Sequence, residues 1–203
     1  MALKIEADAG YALMDATRDV RDALQYLRRS KLASEIIEDI ESSNTLITIK
    51  VGPGLNDRFE HPPLDTGTSF GGVVYWDPGF TLGVTDKANK RPNVPWVKQI
   101  KEKRTIWNCC GQRAPTNQDG EINPKVCLMH ELGHVLQYLS NPAEFRALFR
   151  NADGSKRRDG EIMSAKNTIE QVNTAAIEQP IIMELRDSGC NLGIRWDYYH
   201  TSN

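Results

Sequence analysis

Two of the chain's four histidines stand four positions apart, with a glutamate directly after the first, in the stretch Cys127-Leu-Met-His-Glu-Leu-Gly-His-Val-Leu-Gln137. On a helix that spacing stacks His130 and His134 on one face, so both imidazoles can reach one metal ion. Glu131 lies about 100° further round, where its carboxylate meets a metal-bound water rather than the metal. The ion expected from this pattern is zinc, with one coordination position left open to water. The plain alternative is a pair of core histidines with satisfied hydrogen bonds. A shuffled chain of this composition produces the pattern in roughly four cases per thousand, which makes accident the weaker explanation.

The helix that carries these groups needs an anchor and a start. Leu128, Leu132, Val135 and Leu139 form an apolar stripe at helical spacing, so one face is expected to pack and the other to bind. Asn123-Pro124 supplies an N-cap and a proline at the first helical position. Upstream, residues 11–41 carry helical periodicity with a break at Ser30, and Thr45–Val51 has the β-branched enrichment of a strand. Residues 52–69 are rich in Gly, Pro, Asp and Thr and read as an irregular connection. His61 sits there beside Pro62-Pro63; a third histidine ligand is conceivable at that position, and a surface residue is the preferred reading.

Gly71-Gly-Val-Val-Tyr-Trp76 reads as a second strand whose glycines admit another backbone closely. We expect it at the sheet edge beside the cleft, paired with an extended substrate; a central, fully paired strand is the competing placement. Downstream of the histidines, Asn141-Pro142 starts a short helix to about Phe149, and a longer helix spans about 164–187. That longer helix holds Glu170, Glu178 and Glu184, the remaining candidates for chemistry.

Composition bounds the alternatives. The chain has 203 residues, 39% hydrophobic and 26% charged, which suits one domain spanning 1–203, with 1–10 expected to be disordered. A net charge of -2 gives no global pull toward nucleic acid or an anionic membrane, and no run has the length of a membrane-spanning helix. Between Lys87 and Arg104 seven basic residues surround Trp96 with one acidic residue among them. A solvated loop explains that stretch better than a nucleic-acid site, because Pro92 and Pro95 interrupt it. Cysteines 109, 110, 127 and 190 lack paired CxxC spacing and read as reduced thiols in a cytosolic setting. Cys127 stands close enough to His130 to complete a closed structural zinc site, so a non-catalytic, zinc-stabilised adaptor is the rival reading.

Several pieces of the chain together resemble the small bacterial effector zinc metallopeptidases typified by NleD, and more distantly the clostridial neurotoxin light chains. The likeness rests on His130-Glu-Leu-Gly-His134, Glu170-Gln-Val-Asn-Thr174, Glu178 with the Ile-Ile-Met-Glu-Leu185 that follows, and Gly193-Ile-Arg-Trp-Asp-Tyr198. A weaker likeness covers residues 71–76 and 32–51. The resemblance implies a third zinc ligand some 35 residues after the second histidine, in an acidic pair followed by a threonine. Glu170 matches that place, although Gln171 stands where the pair would have its second acid, and Glu178 remains the alternative. It also implies that Arg195 and Tyr198 brace the developing oxyanion, as a guanidinium and a phenol can do by donating hydrogen bonds.

The expectation is therefore a zincin-like α+β domain, a small mixed or antiparallel sheet packed on the histidine helix. Its activity would be zinc-dependent peptide-bond hydrolysis by a monomer. The resemblance further implies an effector secreted by a bacterium and acting on a host signalling protein in the host cytoplasm.

Overall fold

The computed structural model describes residues 3–62, 70–84, 120–148, 169–190 and 192–194. Strand β1 (Leu3–Ala7) leads into helices α1 (Leu13–Leu27) and α2 (Lys31–Ser42), followed by β2 (Leu46–Val51), β3 (Arg58–Glu60), β4 (Phe70–Trp76), β5 (Leu82–Val84) and β6 (Gly120–Ile122). The histidine helix α3 (Pro124–Ser140) and the short α4 (Pro142–Ala147) come next. Helix α5 runs over 169–187 and contains a π-helical turn, Thr174–Glu178. The architecture is α+β.

Local chemistry sets the helix boundaries. The Ser30 hydroxyl accepts from the Ala33 amide and starts α2, the break expected there. Asn123 caps α3 by accepting from Val126 at 3.1 Å, with Pro124 at the first position. Asn141 does the same for α4 through the Glu144 amide. Glu184, a candidate for chemistry in the sequence, instead accepts from Ser30 Oγ (2.7 Å) and the Leu32 amide (3.1 Å). It ties α5 to the α1–α2 corner.

Four strands form one mixed sheet in the order β1-β2-β4-β3; β1, β2 and β4 run parallel and β3 runs antiparallel to β4. The short pair β5-β6 is separate. Three expectations are corrected here. Residues Leu3–Ala7 are a strand and not part of a disordered lead, because Leu3, Ile5 and Ala7 pack against the core while pairing to β2 in register Leu3 to Ile47. The 52–69 connection contains β3. Strand β4 lies between β2 and β3, so among the described strands the edges of this sheet are β1 and β3. The backbone that the β4 glycines admit is the protein's own: a Cβ on Gly72, whose φ is +122°, would lie 2.5 Å from the carbonyl oxygen of Glu60.

Helix α3 is the hub. It packs on β4, β3, α1, α2, α4 and the π turn of α5, and the Trp76 indole N–H donates to the Pro124 carbonyl (2.8 Å) to fix its start against β4. Every residue from Val126 to Val135 is buried, polar ones included. The apolar stripe packs in the core, and α5 packs against the helix through its π turn. The basic stretch at 87–104, Cys109 and Cys110 lie outside the described residues. Among the described residues no helix is long and apolar enough to cross a membrane.

Strand β4 bonds to neighbours on both sides, so proline at Val73 would remove a ladder donor from an interior strand. Val73→Pro is expected to lower the thermal unfolding temperature severely or prevent folding. Wild-type unfolding in that variant, followed by circular dichroism, would contradict the strand order.

Candidate metal centre

The two imidazoles and one carboxylate meet at one point. His130 Nε2 lies 2.8 Å and His134 Nε2 3.1 Å from the same oxygen, Oε2 of Glu170. The three donor atoms lie within 4.8 Å of one another, and His130 and His134 are 3% and 6% exposed. Ligands bound tetrahedrally at 2.0–2.1 Å sit roughly 3.4 Å apart, so this cluster needs only small adjustment to hold one zinc-sized ion. Burial alone would push the Glu170 carboxyl up; hydrogen bonds from His130 and His134, and their charge, hold it well below the usual carboxylate range.

The other ring nitrogens are also taken. His130 Nδ1 lies 2.9 Å from Oε2 of Glu178, and His134 Nδ1 lies 3.0 Å from the amide oxygen of Gln137, one turn along the same helix. A neutral imidazole that donates from Nδ1 keeps its Nε2 lone pair for a metal. Glu178 therefore faces the opposite side of the His130 ring from Glu170. Of the two glutamates left open by the sequence, Glu170 stands with the histidines in the group that could hold a metal ion. Cys127 is buried on the same helix and is not in that group.

Asn173 locks the two helices together. Its Nδ2 donates to the His130 carbonyl at 2.6 Å, and it is fully buried. A Cβ on Gly133 would collide with Asn173 Oδ1, so the glycine between the two histidines is what lets α5 approach.

A cleft of about 530 Å³ opens over the site, with Glu131, His134 and Glu170 on one wall and Asp57 to His61 on the other. Glu131 is 8% exposed. The expected surface position of His61 is corrected: it is half-buried, its ring stacked on Tyr138 (centroids 6.2 Å apart, 15° between planes) and set edge-on to Phe145. Arg195 and Tyr198 lie outside the described residues. The sequence reading missed Gln137, Asn173 and Asp57; only Gln137, at i+3 from His134, carried a positional signal.

Asp57 Oδ1 accepts from the Asp77 amide at 2.8 Å, whereas its Oδ2 is buried without a hydrogen-bond partner among the described residues. Burial pushes this carboxyl up to about 7, with the negative charges of Glu131 and Asp77 adding to the rise against the pull of the Asp77 amide.

Comparison of the chain with family models, curated proteins and solved structures finds no match.

An acid whose folded pKa lies above its unfolded value of 3.8 holds its proton longer when folded. Its stabilising proton is kept below about pH 4 and lost as pH rises through about 7. With metal removed by chelator, Asp57→Asn should therefore gain unfolding temperature relative to wild type between pH 4 and 7, with a constant gap above. A gap that does not change from pH 4 to 8 would contradict the buried, proton-holding carboxyl.

Proposed function

We propose that the chain is a zinc-dependent endopeptidase of the zincin type, with His130, His134 and Glu170 as metal ligands and Glu131 as the general base. The observation that carries this reading is the convergence of two Nε2 atoms on one Glu170 oxygen in the wall of an open cleft, with Glu131 in the same wall. A structural zinc site would be closed by a fourth protein ligand, and the open cleft favours catalysis over the adaptor alternative. The motif likeness described above is the basis for proposing a bacterial effector that cuts a host signalling protein after delivery to the host cytoplasm, acting as a monomer without nucleic acid or membrane.

Zinc bound there supplies a Lewis acid that polarises a carbonyl and acidifies a water. Glu131 takes the proton of the attacking water and returns it to the leaving amine. His130 and His134 keep fixed ring orientations through Glu178 and Gln137. Arg195 and Tyr198 are proposed to donate hydrogen bonds to the oxyanion, on the resemblance alone. Strand β3 ends the described sheet and lines the cleft, which offers its outer edge for main-chain pairing with an extended peptide in place of the interior β4.

Two variants separate base from ligand. Glu131→Gln should retain stoichiometric zinc and lose about 10²–10⁴-fold in kcat, the usual contribution of a positioned base. Glu170→Ala should lose the metal. Peptidase turnover retained in Glu131→Gln, or full zinc content in Glu170→Ala by elemental analysis, would overturn the assignment.

A further inference from the structure

Helix α5 contributes two glutamates to one histidine although they stand eight residues apart. In a regular α-helix eight residues turn through about 800°, which leaves the two side chains about 80° out of phase. Such a helix presents one of them to His130 and turns the other aside. Between them lies the π-helical turn Thr174–Glu178, closed by the Gln179 amide donating to the Thr174 carbonyl five residues back. With about 4.4 residues per π turn, those five residues rotate by only about 82° each, and the path from Glu170 to Glu178 falls within about 10° of two full turns. Both carboxylates then share one face.

The local cause of the turn is in the sequence. Pro180 has no amide hydrogen, and in an α-helical register its ring would strike the carbonyl of Ala176. The π geometry ends at Glu178, two residues before that proline. Both halves of the helix are held from outside. Asn173 fastens the first half to the His130 carbonyl, and Ile181, Ile182 and Leu185, all fully buried, seat the second half in the core. Rotation between the halves is therefore set by the turn.

Resting on the metal reading above, we infer that the π turn is the phasing device of the site and that Glu178 is a positioning residue. The turn brings Glu178 onto the face of Glu170, so that a single helix engages both ring nitrogens of His130. Glu178 fixes the ring and its Nδ1 proton; it does not bind the ion. Its partner on the opposite nitrogen, Glu170, completes the ligand set.

The test compares four proteins: wild type, Glu178→Gln, a helix of unchanged length freed to take the regular α register by Pro180→Ala, which would leave Glu170 and Glu178 about 80° out of phase, and the combination of the two. Zinc affinity is measured by competition with a chromophoric chelator. Thermal unfolding is followed in the metal-free state, and visible absorption of the cobalt-loaded protein reports ligand geometry. Glu178→Gln should bind zinc about 10 to 100-fold more weakly, the usual effect of losing a partner behind a ligand, with four-coordinate cobalt absorption kept and metal-free unfolding not lowered. The regularised helix should also bind weakly, and adding Glu178→Gln to it should cost nothing further, because the contact is already broken.

Wild-type zinc affinity in Glu178→Gln would overturn the inference. So would total loss of metal, which would make Glu178 a ligand, or a full additive loss in the combined variant. If the regularised helix does not fold, the affinity and cobalt spectrum of Glu178→Gln decide alone. Failure of the wild-type protein to bind zinc would instead sink the metal reading itself, a result distinct from wild-type binding with unaffected variants.

Discussion

The structure turns on placing charge where water is scarce. Glu178 is 1% exposed and His130 3%, and removing such groups from water costs several kcal/mol per ion unless each is matched by a partner. The match here is nearly complete: Glu170 answers both Nε2 atoms, Glu178 and Gln137 answer the two Nδ1 atoms, and Asn173 takes the His130 carbonyl oxygen. Each partner must lie within hydrogen-bond reach at once. That requirement explains why α3 is buried from Val126 to Val135 and meets solvent there only through the cleft.

The surrounding fold serves that enclosure. The sheet supports one side of α3 through β4 and β3, with the Trp76 indole fixing the helix start. Helices α1 and α2 close another side, and the Ser30–Glu184 hydrogen bond carries their position to α5. Gly133 then admits the Asn173 side chain of α5. A side chain at that position would separate Glu170 from the histidines, so the spacing of two helices and the spacing of three donor atoms are one constraint. Edge strand β3 is the remaining wall, and it borders the cleft with charged Arg58 and Glu60 on either side of Phe59.

Features with local causes were legible in the sequence. The caps at Ser30, Asn123 and Asn141 act within three residues, so α2, α3 and α4 begin where their capping chemistry says. The His130, Glu131 and His134 cluster follows from helical period alone. The short strands β1 and β3 exist through pairing with distant partners, which five- and three-residue windows do not reveal. The same reason misplaced β4 at the edge. That Glu170 and Glu178 share a face does not follow from an unbroken α-helix, and Pro180 is the one residue in the stretch that signals a departure from it. Asp57 and Asn173 matter only through neighbours brought in by the fold.

The account stands or falls on what surrounds the ion. X-ray absorption at the zinc edge of the fully loaded protein, with the stoichiometry measured on the same sample, reads the donor types directly. The account predicts one zinc per chain with two imidazoles and only nitrogen or oxygen donors near 2.0–2.1 Å. A sulfur shell near 2.3 Å would show a cysteine ligand outside the His130, His134 and Glu170 group, and that result, or the absence of stoichiometric zinc, would contradict the claim of a catalytic centre.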